Sequence, residues 1–295
     1  MNSIDYPIHT IESEHFPRLL REALDGSVYK PDRLYVRGAM PAEGSTIFLA
    51  VVGSRRCTEY GAAACKELIA GLRGLSVVII SGLAYGIDSI AHEAALENGL
   101  TTIAVPGSGL ADDMIYPAAH IGLARRILAA GGALVSPFAE TIMGNNWTFP
   151  VRNGIMAGLA HATLVVEAAE GSGTLITAQH AANLGRDVFV VPGQIFSKRS
   201  TGSNKLISDG ASPVLSSRDL AERLGFDADA PRSDEKLALS EDERQVFKVL
   251  EEPISREEAC RRSGLDAARF AGAVSALEMK GLLEGAAGAL RRRRI

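Results

Sequence analysis

The chain has 295 residues, is 46% apolar and carries a net charge of −4. It is long enough for one large α/β domain plus a small second one, and too apolar to lack a core. A net negative charge excludes a generally basic exterior, so any contact with nucleic acid has to come from a local pocket. No apolar run approaches the roughly 20 residues of a membrane span. The first residues show no basic stretch leading into an apolar one, so no secretory signal is expected. Three scattered cysteines, Cys57, Cys65 and Cys260, form no metal-type pair and fit a reducing cytoplasm.

Residues 1–45 read as a short N-terminal segment containing Phe16-Pro-Arg-Leu-Leu-Arg21 and Pro31-Asp-Arg-Leu-Tyr-Val-Arg-Gly38. From residue 46 to 224 strands and helices alternate. Ile47–Val52 is an unbroken apolar run ended by Gly53, the pattern of a fully buried strand. A helix is expected from Tyr60 to Leu72, then a strand at Val77–Ile80 ended by Ser81-Gly82. Asp88 is placed to cap a helix that Gly99 stops, with His92 one turn on as its local partner. Thr102–Val105 is a strand followed by Pro106-Gly107-Ser108-Gly109, then come a helix over Pro117–Ala130 and a strand over Ala133–Ser136. A helix over Gly154–Ala160 leads to the strand Leu164–Val166, a helix from Thr174 to Leu184, and the strand Val188–Val191 ended by Pro192-Gly193. Alternation of this kind implies right-handed crossovers and a doubly wound, mostly parallel α/β sheet.

Five of these strand ends carry glycine: Gly53, Gly82, Gly107, Gly171 with Gly173, and Gly193. One such turn answers to backbone geometry alone. Five along the C-terminal edge of a parallel sheet, with Arg55, Arg152 and Ser172 among them, predict a shared ligand pocket. The turn Gly171-Ser172-Gly173-Thr174 opens a helix, so its amides and the helix dipole suit an anion. Arg152, Asn153, Trp147 and Phe149 lie just upstream, a mixture suited to a ligand with phosphates and bases. A Gly-x-Gly-x-x-Gly fingerprint, an ATPase phosphate loop and a Gly-x-Ser-x-Gly elbow are all missing. The six histidines show no metal spacing; His161 and His180 flank the glycine turn as possible polar supports. No cofactor and no metal are expected.

Ser216–Leu224 is expected to be a short helix, and residues 225–235 are polar and turn-rich, the best linker in the chain. Residues 236–295 form a second unit. Ser240–Leu250 is helical, Ser255-Arg-Glu-Glu258 has the form of a capping box, and a helix from Asp266 places Phe270, Val274 and Leu277 on one face. Gly281–Leu290 reads as a hairpin, which completes winged-helix order. The third helix offers Arg269 and Lys280 as cations, and the unit carries twelve Lys/Arg against ten Asp/Glu, the excess lying in Arg291–Arg294.

Together these stretches make the chain resemble the DprA/Smf family of bacterial DNA-processing proteins. The matching residues are Val52-Gly-Ser-Arg55, Ser81-Gly-Leu-Ala-Tyr-Gly-Ile-Asp88 with Ala91-His92, Ile103-Ala-Val-Pro-Gly107 and Tyr116-Pro117. They continue in Phe149-Pro-Val-Arg-Asn153, Val166-Glu-Ala-Ala-Glu-Gly-Ser-Gly-Thr-Leu-Ile-Thr-Ala178, Val190-Val-Pro-Gly193 and Gly202-Ser-Asn-Lys-Leu-Ile-Ser-Asp-Gly-Ala211. The resemblance implies an extended Rossmann-like domain with a small winged helix, a homodimer paired near Leu206–Leu224, single-stranded DNA binding, and loading of the RecA recombinase, without catalysis. Two departures stand out. Gly154 occupies a position where the family usually has a second arginine, and too few residues precede Phe16 for the helical domain found in many members.

The expected binding set follows from the residues. Arg55 forks phosphate oxygens, and the turns Gly53-Ser54, Ser81-Gly82, Gly107-Ser108 and Ser172-Gly173-Thr174 offer backbone donors. Arg199, Asn204 and Lys205 lie where a loop can close over the site, and Phe149 or Trp147 stacks a base or packs in the core. Arg152 contacts the ligand with Asn153, or pairs with Glu167 or Glu170. Two rivals use the same pocket. A phosphoribohydrolase needs glutamates after the Gly-Thr turn, where this chain has Leu175-Ile176-Thr177; a nucleotide sensor remains open.

Overall fold

The computed structural model describes residues 6–25, 30–227, 240–250, 254–279, 282–286 and 289–292. The expected linker falls mostly on 228–235, outside the described residues, as do Lys280, Arg293 and Arg294. Residues cluster into two compact units, 1–228 and 229–295.

The first unit is built on a nine-stranded sheet. In chain order its strands are β1 (Ile8–Glu12), β2 (Arg33–Gly38), β3 (Ile47–Val52), β4 (Val77–Ser81), β5 (Thr101–Ala104), β6 (Ala133–Ser136), β7 (Ala162–Val165), β8 (Asp187–Val190) and β9 (Ser212–Pro213). The helices are α1 (Arg18–Leu24), α2 (Glu59–Ala70), α3 (Ile87–Glu97), α4 (Ile121–Ala129), α5 (Thr148–Leu159), α6 (Gly173–Asn183), α7 (Thr201–Ser208) and α8 (Ser217–Arg223). Across the sheet the order is β1-β2-β6-β5-β4-β3-β7-β8-β9, parallel from β6 to β9. The chain steps outward from β3 to β6, then returns through α5 to place β7 on the other side of β3. That reversal between β3 and β7 is the crevice where open α/β sheets bind ligands.

Residues of β3 alternate between two cores, as the period of a strand requires. Phe48, Ala50 and Val52 pack towards α1, α5 and α6, whereas Leu49 and Val51 pack towards α2, α3 and α8. Both faces are covered, which is why the parallel strands read as continuous apolar runs.

The described residues among the first 45 belong to this architecture. β1 and β2 extend the sheet antiparallel at its edge, β2 pairing with β6. Leu34 and Val36 of β2 and Leu20 of α1 are fully buried in the same core as Phe48 and Ile155. Arg186 reaches α1, donating to the Leu19 carbonyl at 2.8 Å. Of the apolar residues in Leu206–Leu224, the expected pairing segment, Val214, Leu220 and Leu224 are buried against α2 and β8, Leu206 and Ile207 are half-buried, and Leu215 is 78% exposed.

Helix α3 starts at Ile87, with Gly86 as its cap residue, so Asp88 lies within the first turn instead of capping it. His92 likewise does not partner Asp88; its Nδ1 meets the Thr102 hydroxyl at 2.7 Å. That hydroxyl donates to the Ile79 carbonyl at 2.9 Å, so it accepts from His92 and the proton sits on Nδ1.

The second unit contains α9 (Glu241–Val249), β10 (Ile254–Ser255), α10 (Arg256–Ser263), α11 (Ala267–Met279), β11 (Leu283–Ala286) and β12 (Ala289–Arg292). β11 and β12 form the expected hairpin and β10 pairs with β12, the winged-helix arrangement. Phe270, Val274 and Leu277 fill its core with Val246, Leu250, Leu283 and Leu290. The full capping box is at Ser240–Glu243; at Ser255 the reciprocal bond is absent, because the Glu258 carboxylate turns to Arg261 and Arg262. Arg269 is held bidentately by Asp242, which reduces its availability as a cation on α11.

Leu20→Ala should destabilise the first unit by about 2–5 kcal/mol, read as a lower midpoint of its single urea transition. An unchanged midpoint would mean that α1 is a separable appendage. A second expectation concerns pH. Burial pushes the His92 ring down to about 3, below its ordinary value near 6.5. The folded state therefore holds the neutral ring while the unfolded chain takes a proton. This stability is complete above about pH 6.5 and drains as pH falls towards 3. Urea unfolding between pH 7 and 4 should show that loss, and His92→Leu, weaker at pH 7, should show a shallower one.

Candidate nucleic-acid interface

A cleft of about 570 Å³ opens at the C-terminal ends of β3 and β7. Gly53, Ser54, Arg55, Phe149, Arg152, Asn153, Ser172, Gly173 and Thr174 all line it, so the turn after β3, the first turns of α5 and the start of α6 converge as expected. Arg56, Asn146 and Thr177 join them.

The turn after β3 is organised by Glu167, a residue sequence reasoning assigned elsewhere. Its buried carboxylate accepts from the Thr58 N–H at 3.2 Å and from the Thr58 hydroxyl, and its backbone carbonyl accepts from Ser54 N–H at 2.8 Å. The Ser54 hydroxyl accepts from Arg56 N–H. Ser54 thus shapes the turn and has no amide left for a phosphate. What the turn presents is Arg55, whose guanidinium lies 4.9 Å from the centre of the Phe149 ring. A cation over an aromatic face is stabilised by about 0.5–1 kcal/mol at exposed sites, and here it keeps the guanidinium at the mouth of the cleft. Phe149 also touches Tyr116, with ring centres 6.0 Å apart, so one of its faces already carries Arg55. A Cβ on Gly107 would meet the Phe149 ring at 2.5 Å; glycine there lets the aromatic sit down on the end of β5.

Helix α5 begins at Thr148, six residues before the expected start. Pro150 falls in its first turn, where a missing N–H costs nothing. Arg152 therefore projects from a helix into the fold and is 3% exposed. It pairs with neither Glu167 nor Glu170. Its Nη1 lies 3.6 Å from Asp88 Oδ2, and its guanidinium fills the space that Gly82 leaves open at the end of β4. Asp88 is 6% exposed, and its burial pushes the carboxyl up while Arg152 opposes that shift. The Arg152 Nε has no partner.

At the other wall, Ser172 provides α6 with no side-chain cap, and its Oγ is buried without a partner. Asn153 Nδ2 donates to the Gly173 carbonyl at 3.2 Å, tying α5 to the start of α6. The first amides of a helix have no internal acceptor and face the positive end of its dipole. Three arginines and one carboxylate, Asp88, line the cleft. It is built to hold an anion, and the one acid is already matched to a cation.

Several expected members lie elsewhere. Ser81 is buried, its hydroxyl donating to the Val51 carbonyl at 2.6 Å. Ser108 is buried too, donating to the Gly109 carbonyl. Asn204 is spent on the Gly193 backbone, accepting its N–H at 3.0 Å and donating to its carbonyl at 3.1 Å. Lys205 faces Asp209 at 3.3 Å, away from the cleft. Arg199 does reach the site, donating to the Arg56 carbonyl. His161 lies at the opposite sheet edge, its Nδ1 accepting from Phe48 N–H. Gly154 faces His180, whose ring stays 3.8 Å from a Cβ built there; nothing in the packing requires glycine.

Residues 7–225 match the family described as DNA recombination-mediator protein A, and residues 228–289 match the DprA winged helix domain. The chain belongs to the DNA recombination-mediator protein A family. Among relatives it is 39% identical to Protein Smf of Escherichia coli K12 over 247 residues, covering 82% of this chain and 64% of that one. It is 43% identical to the DNA processing protein DprA of Streptococcus pneumoniae R6 over 178 residues, covering 60% and 62%. The chain thus spans about three fifths of the length of these curated relatives. Among solved structures it resembles DprA of S. pneumoniae, with a TM-score of 0.64, 36% identity and 76% of each chain covered. It also resembles DNA processing protein A of Helicobacter pylori, a structure concerned with that protein's single-stranded DNA binding mode, with a TM-score of 0.65 and 28% identity over 76% of this chain and 98% of that one. These solved structures share its fold. Among the described residues no helix is long and apolar enough to cross a membrane.

Proposed function

We propose that this protein binds single-stranded DNA in the cleft between β3 and β7, in the cytoplasm, and passes the strand to a RecA-type recombinase. The observation that carries the reading is Arg55 held on Phe149 at the mouth of an anion-seeking cleft. Arg55 forks a phosphate, the open start of α6 receives another, and a cleft of about 570 Å³ favours a flexible strand over a duplex. The H. pylori relative's single-stranded DNA binding agrees with it. A hydrolase reading is disfavoured by the absence of a free carboxylate among the residues lining the cleft, since Asp88 faces Arg152. Pairing of two copies and recombinase loading are part of the same proposal.

Arg55→Ala should weaken binding to a labelled homopolymer by roughly ten- to a hundred-fold, the loss of about 1.5–3 kcal/mol for a charge-assisted bond. Fluorescence anisotropy at two salt concentrations measures it. Affinity should fall with salt and depend little on sequence. Removing residues 291–294 should matter less. Wild-type binding by Arg55→Ala, with binding abolished by the tail deletion, would move the DNA site out of the cleft. In a separate assay, the full chain should shorten the lag of recombinase filament formation on single strands, and should sediment as a dimer at micromolar concentration. An unchanged lag would remove the loading role.

A further inference from the structure

The loop after β8 holds an aromatic ring in water. Phe196 is 94% exposed and Ile195 beside it 78%, the former the most exposed large apolar side chain among the described residues. Leaving such surface in water forgoes burial worth about 25 cal/mol per Å². The loop is nevertheless well anchored. Gly193 is held on both backbone groups by Asn204, the Pro192 carbonyl accepts from Tyr60 Oη at 2.8 Å, and two consecutive turns close at Gln194–Ser197 and Ser197–Ser200, both at 3.0 Å. The ring is therefore presented by a tied loop, already ordered for a partner.

Its surroundings identify the partner. Lys198 and Arg199 follow it directly, and Arg199 donates to the carbonyl of Arg56, which itself lines the cleft beside Arg55. The stretch 193–204 contains no Asp or Glu, nor does 53–57. An apolar protein face would have to desolvate these cations without compensation. A nucleotide uses both: its base covers the ring and its phosphates meet the cations.

We propose that Phe196, with Ile195 at its side, is a base-stacking platform outside the cleft, gripping a nucleotide of a single strand that leaves the cleft over Arg56 and Arg199. The inference rests on the cleft reading above and extends it by one contact point outside the cleft. A strand long enough to reach the loop gains a stacked base, worth about 1–3 kcal/mol by alanine substitution; a strand confined to the cleft gains nothing.

The test uses the full chain and a homothymidine series of about 4 to 16 nucleotides, the span of known single-strand site sizes. Phe196→Ala should bind the longest strands roughly 5- to 100-fold more weakly, that same energy at tenfold per 1.4 kcal/mol, and bind the shortest as wild type does. Phe196→Tyr should restore the length effect. Phe196→Trp should show emission quenched by long strands and unmoved by short ones. Wild-type affinity of Phe196→Ala at every length overturns the proposal, and so does a loss that includes the shortest strands, which would put the ring inside the cleft's own site. Loss of self-association or of recombinase contact with DNA binding intact would make the ring a protein contact instead, again overturning it. Arg55→Ala run alongside separates the two readings: short strands that bind it normally count against the cleft, whatever Phe196→Ala does.

Discussion

The site depends on one buried cation. Arg152 is almost wholly out of water, set against Asp88 in the first turn of α3 and filling the gap that Gly82 leaves at the end of β4. A guanidinium in that place is costly without a partner, and removing only one member of a buried pair leaves the other uncompensated, at about 3–5 kcal/mol. The arrangement ties three elements to one another. Once Arg152 is fixed, the helical repeat fixes Phe149 one turn earlier on α5, and Phe149 is the surface on which Arg55 rests. The exposed cation at the mouth of the cleft is thus aimed by a buried one.

Electrostatics of the whole chain and of the site point in opposite directions. The protein carries a net charge of −4, yet Arg55, Arg56 and Arg152 lie around one cleft. Excess acid elsewhere limits indiscriminate adhesion to nucleic acid, while local cations and helix amides concentrate attraction at one opening. The glycine turns matter here chiefly as space. Two of them, Gly82 and Gly107, admit a guanidinium and an aromatic ring against the ends of their strands.

The parallel core was legible because strands covered on both faces read as apolar runs, and their glycine ends pointed to the edge at which the cleft lies. What stayed hidden depended on contacts between distant residues. No spacing pairs Arg152 with Asp88, 64 positions apart, so Glu167 and Glu170 looked equally suitable; Glu167 in fact shapes the turn that carries Arg55. The helix expected from Gly154 begins at Thr148, with Pro150 in its first turn, where proline is tolerated. The edge strand β2 had a signal that was passed over, the inward alternation of Leu34 and Val36. Asn204 and Lys205, expected on a closing loop, lie on α7, and their side chains point to Gly193 and Asp209. Exposure of Phe196 had no sequence signal, since an aromatic is by default read as core.

The start of α6 has a consequence for the energetics of the whole unit. Ser172 leaves the first turn without a side-chain acceptor, although a serine cap contributes about 1 kcal/mol where the bond is made. The first turn is thus open to an acceptor from outside the chain. An anion that supplies the missing acceptor completes α6 and occupies the cleft in one event, so occupancy and folding draw on the same free energy. At a ligand concentration a hundred times its dissociation constant, that linkage raises the stability of the bound protein by about 2.7 kcal/mol. On the proposed function, the unbound protein would be less stable at this edge, and its resistance to unfolding would report how much of it is loaded.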